Sequence, residues 1–346
     1  MTEPYIAILI IWVFLFVYAI AGSIDFGAGF WAMYYSDRET SATVLANRYL
    51  SPSWEVTNVF LVLLVIALVG FFPGAAFYMG TLMILPFSLV LILLTIRSAF
   101  MVFSFTVKKY TKALVYISGI TGLLIPALMI AVLPVSIGGF IGGGEQQYIL
   151  FNETLASPAV YTHVGFGLAT ELFLSALLLS DYAREAGEEK AYAIYRKNAV
   201  FLGPVTLLFA VTALLTLIPE APWMVESMVD VWYLFALSLI AAVIGYSSLW
   251  WPSKSAAPGR PRAGVLLIVL QFGLASFAYG YSHMPYILYP DLTIQDAFTD
   301  PVMFRWLLYG YGGGLAILIP AFYIFWRLFM KDKRYLQGKP EEENQY

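Results

Sequence analysis

Residues 5–35 of the chain read YIAILIIWVFLFVYAIAGSIDFGAGFWAMYY, and this stretch decides the fold. Its first twenty residues carry no charge, and about 20 apolar residues are what an α-helix needs to cross a bilayer core. Glu3 stands where a signal peptide would have positive charge, and the apolar run is too long for the core of such a peptide. The segment therefore predicts a retained first transmembrane helix.

The whole chain shares this apolar character. Of its 346 residues, 60% are hydrophobic and 12% are charged, and the mean hydropathy is +0.77. A soluble domain carries about 25% charged residues, so this composition excludes an ordinary cytoplasmic enzyme, a nucleic-acid-binding protein and a disordered scaffold. The absence of cysteine excludes disulfides, thiolate-bound zinc, iron–sulfur ligation and thiolate haem ligation.

Nine apolar segments are predicted to be transmembrane helices. Helices are favoured because a backbone in lipid must satisfy its own hydrogen bonds, and the alternating segments of a β-barrel are not seen. The predicted spans are 5–35, 54–72, 76–106, 113–137, 158–180, 198–219, 231–251, 263–287 and 303–329.

The basic residues predict how these spans are oriented. Of the 19 lysines and arginines, 17 fall in alternate loops or at and beyond the end of span nine, which puts them all on one side. The positive-inside rule then places the N-terminus outside and the C-terminus in the cytoplasm. The prediction is an all-α integral membrane protein with two four-helix bundles and one additional helix. The corresponding domains are 1–140, 141–290 and, for the ninth helix and cytoplasmic tail, 291–346.

Three ionisable residues are predicted to lie at one level near the cytoplasmic side. Asp25 is 20 residues along span one, Glu55 opens span two, and Arg97 is 21 residues along span three. A charge inside a span is costly, so each needs an explanation. The cluster could take up protons from the cytoplasm, or it could be a structural ion pair that locks the first three spans together. For Glu55, Ser53 as a helix cap offers a further structural explanation.

Glu171 is predicted near mid-membrane, 13 residues into span five. It has no obvious cationic partner in the sequence, which leaves a functional role and polar packing as equal alternatives.

Two histidines, His163 and His283, raise the possibility of one bis-histidine haem, because both approach the predicted outer face. Placing a histidine ring at the depth of the membrane interface costs little free energy, so a structural role for both histidines is the favoured explanation.

The sequence resembles subunit II of cytochrome bd-type quinol oxidases over essentially its whole length. The resemblance is carried by residues 22–29 (GSIDFGAG), by Trp54 followed by Glu55, by Arg97, and by residues 282–286 (SHMPY) leading into 292–297 (LTIQDA). The family commonly has aspartate where this chain has Glu55, and the next residues also differ from the family pattern.

This resemblance implies a subunit of a quinol:O2 oxidoreductase in the cytoplasmic membrane of a prokaryote. The larger partner, subunit I, would carry two haems b and one haem d and form a heterodimer with this chain, which would ligate no haem or metal. Asp25, Glu55, Arg97 and, with less support, Glu171 would form a proton-uptake path to O2 reduction, generating a proton motive force without pumping. Whether a small single-helix subunit is present, and which quinol is the substrate, stay open.

Two other functions are compatible with the residues alone. A multi-spanning secondary transporter would suit nine spans and a mid-membrane Glu171, although transporters usually have a larger polar site at the midplane. A purely structural scaffold for a haem protein is the other alternative.

Overall fold

A computed structural model describes residues 3–37, 40–106, 111–138, 140–142, 148–253 and 257–331 of the chain. The long helices are α1 (Glu3–Tyr34), α2 (Thr40–Phe71), α4 (Ile84–Thr106), α5 (Thr111–Ile130), α8 (Pro158–Ala186), α9 (Glu189–Glu220), α11 (Trp232–Ser247), α12 (Pro261–Ser282) and α14 (Pro301–Phe325). Shorter helices are α3 (Pro73–Leu82), α6 (Val132–Ile137), α7 (Phe151–Ala156), α10 (Pro222–Asp230) and α13 (Ile294–Ala297). A 3-10 turn (Ser248–Trp250) follows α11, and a π-helical turn (Trp326–Lys331) follows α14.

Two small antiparallel ribbons complete the described residues. The first pairs β1 (Ile141–Gly142) with β2 (Tyr148–Ile149), and the second pairs β3 (Tyr286–Leu288) with β4 (Leu292–Thr293). Both ribbons and helices α7, α10 and α13 lie in connections that the charge pattern predicts to be outside, whereas α6 ends the fourth span and α3 overlaps the start of the predicted third span.

Nine helices in the described part of the chain are long and apolar enough to cross a membrane, which confirms the predicted number of spans. The predicted second span, 54–72, agrees with the apolar part of α2, Pro52–Phe71, but one predicted loop and one predicted boundary were wrong. Residues 40–53 were placed in a loop, whereas α2 is continuous from Thr40 through Pro52. Apolar packing explains this helical start, because Leu45 and Ala46 are fully buried against the rest of the protein.

The third span was also predicted to begin too early, at residue 76. The helix is interrupted at Met83, so that α3 and α4 are separate. Pro86 accounts for the break, because its ring would clash with the carbonyl of Leu82 and it has no N–H to donate.

The long helices pack as two groups of four. Helices α1, α2, α4 and α5 form the first group and α8, α9, α11 and α12 the second, while α1 and α5 pack against α8. The two groups also meet through side chains. Trp31 Nε1 donates to Ser175 Oγ over 2.9 Å, and the Tyr195 hydroxyl donates to the Ala42 carbonyl over 2.7 Å. The arrangement agrees with two four-helix bundles, and the domain limits at 140 and 290 stay a prediction.

The additional helix, α14, packs on α2 of the first bundle. The Tyr311 hydroxyl donates to the Leu63 carbonyl over 3.1 Å, and the rings of Phe60 and Phe322 stack 5.1 Å apart. Most of α14 is exposed in the single chain, with Phe304 and Tyr311 as its buried residues. The predicted cytoplasmic tail beyond residue 331 lies outside the described residues.

Candidate functional site

Asp25 and Arg97 form an ion pair in the interior of the first bundle. Arg97 Nη2 lies 3.3 Å from Asp25 Oδ2, and both residues are only 3% exposed. The same nitrogen donates to the backbone carbonyl of Asp25 over 3.2 Å. The structure thus brings together two of the three residues predicted to cluster here.

Helix α5 supplies the other half of the guanidinium's contacts. Arg97 Nη1 donates to the carbonyl of Ser118 over 2.5 Å and to its hydroxyl over 3.1 Å. The guanidinium carbon also lies 4.9 Å from the centre of the Phe26 ring, which adds a cation–π contact. Four acceptor contacts and a ring therefore surround a cation that is nearly inaccessible to solvent.

Two glycines make the space that Arg97 needs. A Cβ at Gly29 would lie 3.0 Å from Arg97 Nη1, and a Cβ at Gly122 would lie 2.8 Å from the Phe26 carbonyl and 3.1 Å from Arg97 Nη1. Gly27, in the same GSIDFGAG stretch, faces α8 instead, where a Cβ would lie 2.8 Å from the Glu171 carbonyl. The glycines of this stretch thus serve both the ion pair and the close contact between bundles.

Ser53 contributes the fourth helix of the site. Its hydroxyl donates to Asp25 Oδ1 over 3.2 Å, so the carboxylate is held through Oδ1 by α2 and through Oδ2 by α4. Ser53 was predicted to cap a helix, but α2 begins thirteen residues earlier and Ser53 lies within it. Ser53 and Ser118 are the contacts that the sequence reasoning missed. The sequence signal for both was a hydroxyl residue in an otherwise apolar span. Such residues are common, so the signal is weak.

Glu55 does not join this cluster. It lies in the same helix as Ser53 but is exposed on the single chain, while Ser53 faces Asp25. Residues two apart on a helix point in different directions, so α2 can present only one of them to the pair. A role for Glu55 in proton transfer stays a prediction.

Glu171 is completely buried in α8. Its exposure is 0%, and neither carboxyl oxygen has a hydrogen-bond partner within the described part of the chain. It is close enough to Arg97 and Asp25 to interact with both electrostatically. The sequence predicted a mid-membrane carboxyl without a cationic partner, and the structure places it next to the bundle that holds the ion pair.

The histidines are engaged in local contacts. His163 Nδ1 is 2.7 Å from the Ala159 carbonyl, while His283 has Nδ1 2.7 Å from the Tyr286 carbonyl and Nε2 3.4 Å from Ser136 Oγ. Neither histidine lines either of two cavities among the described residues, of about 20 and 350 Å³. This geometry gives no support to a bis-histidine haem, and no group of three or more potential metal ligands occurs in the described ranges.

Comparison with known proteins gives a consistent match along the chain. The family profile for cytochrome bd terminal oxidase subunit II matches residues 3–329. A protein of Bacillus subtilis (strain 168), named as a proposed cytochrome bd menaquinol oxidase subunit II, is 48% identical over 340 residues. That match covers 97% of this chain and 98% of the relative.

A solved structure has the same fold. A chain in the structure of the bd oxidase from Geobacillus thermodenitrificans superposes with a TM-score of 0.81 at 35% sequence identity. The superposition covers 96% of this chain and 100% of that chain.

Proposed function

The chain belongs to the cytochrome bd terminal oxidase subunit II family, and from this premise we propose that it supports a haem-bearing subunit I and supplies a proton-uptake path to it. Membership implies a subunit I partner, a haem-containing quinol oxidase complex and a prokaryotic cytoplasmic membrane. The nine long apolar helices among the described residues also indicate a membrane location. The match over the whole chain leaves the transporter alternative without support.

The division of labour in the complex is part of the proposal. Two haems b and one haem d would reside in subunit I, where O2 reduction takes place, and this chain would ligate none. The contacts of His163 and His283 are compatible with that division, because hydrogen bonds within the chain account for both rings. We further propose menaquinol as the substrate of the complex, on the strength of the name of the Bacillus relative.

The Asp25–Arg97 pair is the observation that carries the proton-path proposal. Burying an ionisable pair in a membrane bundle costs free energy, so ionisable residues in such positions point to a function. Asp25 is the carboxylate of this buried pair. Asp25 would receive protons from the predicted cytoplasmic side, with Arg97 compensating its charge. Glu171, buried and without a hydrogen-bond partner among the described residues, would be the next acceptor, and the exposed Glu55 would lie toward the entrance.

The proposed coupling is scalar. Protons for water formation would come from the cytoplasm, while quinol would release its protons outside. The resulting proton motive force needs no pump, and the inward-facing position expected for Asp25 has the required polarity.

The test is a comparison of Asp25→Asn and Asp25→Glu in the purified two-subunit complex. We expect Asp25→Asn to lower quinol oxidase turnover by about two orders of magnitude, the scale of a lost proton-transfer group, while the haem spectrum is unchanged. Asp25→Glu should recover part of the rate. Asp37→Asn is the matched control, because Asp37 is an exposed aspartate just after α1.

The scaffold alternative makes the opposite prediction. If Asp25→Asn assembles with normal haem content and turns over at the wild-type rate, the subunit has a supporting role only and the proton path is refuted.

A further inference from the structure

The two oxygens of the Asp25 carboxylate face partners of different chemistry. Oδ2 lies 3.3 Å from Arg97 Nη2, whereas Oδ1 accepts from the Ser53 hydroxyl over 3.2 Å. A guanidinium has five N–H donors and no acceptor, and it stays protonated in proteins. A hydroxyl has one donor hydrogen and two acceptor lone pairs, so it can either donate or accept. The two sides of the carboxylate therefore differ in how they respond to an added proton.

A proton on Oδ2 would be unfavourable. Its hydrogen would point toward the hydrogens of Arg97 Nη2, a nitrogen that can only donate. A proton on Oδ1 has an acceptor in reach, because Ser53 Oγ can receive a hydrogen bond from the acid at the place where it now donates one. Arg97 keeps its contact with Oδ2 in that case. The geometry thus favours Oδ1 as the oxygen that binds the proton.

The hydrogen of Ser53 then needs a second acceptor, and Tyr49 provides one. Tyr49 precedes Ser53 by four residues on α2, which places the two side chains on the same face of the helix. The Tyr49 hydroxyl shares a side-chain hydrogen bond with Ser53, and Tyr49 is itself buried. Ser53 can therefore donate either to Asp25 Oδ1 or to the Tyr49 oxygen, and a rotation of its hydroxyl exchanges the two bonds.

The ionisable groups that interact electrostatically with Asp25 come from four helices. They are Tyr18 on α1, Tyr49 on α2, Arg97 on α4 and Glu171 on α8. The Tyr18 hydroxyl donates to Met129 Sδ, and the Glu171 oxygens have no hydrogen-bond partner among the described residues. Neither of these two groups therefore takes the place of Ser53 at Oδ1.

We propose that Ser53 is a positioning residue for the proton carried by Asp25: the proton binds at Oδ1, and the Ser53 hydroxyl turns from donating to Oδ1 to accepting from it. This inference rests on the proton-uptake function proposed for the chain. The proton comes from water on the predicted cytoplasmic side and forms one O–H bond at Oδ1. Ser53 keeps its own hydrogen, which turns toward Tyr49, so no covalent bond at Ser53 breaks. When the proton leaves for the next acceptor, the hydroxyl turns back.

Ser53→Ala removes the hydroxyl and little else. The acid at Oδ1 then has no acceptor in a buried site, which is unfavourable. We expect quinol oxidase turnover of the purified two-subunit complex to fall roughly tenfold with an unchanged haem spectrum, equivalent to about 1.4 kcal/mol in the barrier. Ser53→Thr, which keeps a hydroxyl, should recover most of the rate. Ser180→Ala is the matched control, because Ser180 is fully buried and donates to the Leu177 carbonyl of its own helix over 2.6 Å.

Infrared difference spectra between low and high pH observe the protonated carboxyl group directly. A carboxyl band that is present in the wild-type complex and lost in Asp25→Asn belongs to Asp25. This band should move to higher frequency in Ser53→Ala, because the acid has lost its hydrogen-bond acceptor, and should stay in place in Ser180→Ala. Tyr49→Phe removes the second acceptor without touching the carboxylate, and it should shift the same band.

The two measurements separate this inference from the function on which it rests. An Asp25 band at the wild-type position in Ser53→Ala overturns the inference, and so does a wild-type spectrum without such a band. Equal turnover in Ser53→Ala and Ser180→Ala also overturns it, and if Asp25→Asn is slow the proton-uptake function survives. Normal turnover in Asp25→Asn refutes that function instead, and the infrared band alone then decides which oxygen binds the proton.

Discussion

Arg97 Nη2 lies 3.3 Å from Asp25 Oδ2 at a point where both residues are 3% exposed, so this membrane bundle is built around a charge pair. Removing two charges from water costs several kcal/mol per ion, and their attraction alone rarely repays it. Here Ser53 and Ser118 supply hydrogen bonds from two further helices. The pair therefore contributes to the specificity of packing as well as to the proposed chemistry, and separate substitutions can distinguish the two contributions.

Arg97→Ala should prevent normal assembly of the complex. It leaves the buried Asp25 carboxylate without its cation, and breaking one side of a buried pair costs about 3–5 kcal/mol. Arg97→Lys should be less severe but still destabilising, because one ammonium group cannot replace contacts made through two guanidinium nitrogens. The measurement is the haem content and the Tm of complex purified from equal amounts of membrane.

The control for that experiment is Arg305→Ala. Arg305 Nε is 3.5 Å from Glu3 Oε1, and the Arg305 side chain is 63% exposed. An ion pair exposed to this extent contributes little to the free energy of unfolding. A complex with Arg97→Ala that is as abundant and as heat-resistant as the Arg305→Ala complex would contradict a structural role for the buried pair.

Gly122→Ala should destabilise the bundle although alanine is the better helix former. The new methyl would lie 2.8 Å from the Phe26 carbonyl and 3.1 Å from Arg97 Nη1, so α5 must move away from α1. Overpacking of this kind costs about 1–3 kcal/mol. The Tm of the purified complex should fall, whereas at Gly80, with open space around its Cβ position, alanine should leave the Tm unchanged or raise it. Equal Tm values for the two variants would show that α5 adjusts without cost.

That Asp25 and Arg97 lie at one depth could be predicted from the sequence, because the rise per residue of a helix fixes the depth of each charge in its span. Which of the two carboxylates, Asp25 or Glu55, pairs with Arg97 could not be predicted in this way. The hydrogen-bond partners on the neighbouring helices could not be predicted from the sequence. Ser118 and Ser53 are ordinary hydroxyl residues until the rotation of α5 and α2 about their axes is known, and depth does not determine rotation. Glu55 illustrates the same limit, since it lies at the expected height but on a different face of α2 from Ser53.

His283 should make the stability of the outer connection depend on pH. Loss of water around its ring lowers the pKa of His283 below its ordinary value. The folded protein then binds fewer protons at this position than the unfolded chain does. Its contribution to stability is therefore complete above about pH 6.5 and is lost as the pH falls below that value.

The comparison is between wild type and His283→Gln. The Tm of the wild-type complex should fall more between about pH 7 and about pH 5 than that of the variant, which has no titrating group there. His163 is present in both proteins, so its own titration cancels in the difference. If the Tm of the two proteins changed with pH in parallel, the pKa of His283 would be the same in the folded and unfolded chains.

Arg262 should stabilise the predicted cytoplasmic ends of α8 and α12. Its Nε lies 2.6 Å from Asp181 Oδ2, and the Asp181 side chain is only 10% exposed. Arg262→Ala leaves that acceptor buried without this partner, a loss of about 1–3 kcal/mol that should lower the Tm. The double variant Arg262→Ala, Asp181→Ala should recover part of the loss, because no buried charge is then left behind.

A second ion pair on the same side tests whether burial, rather than charge alone, determines how much such a pair contributes to the Tm. Lys112 Nζ lies 2.6 Å from Asp37 Oδ1, as close as the first pair, but both side chains are largely exposed. Lys112 lowers the pKa of Asp37 through a hydrogen bond and its charge, yet water screens the interaction. Lys112→Ala should leave the Tm unchanged; a fall equal to that of Arg262→Ala would show that distance alone sets the contribution of these pairs.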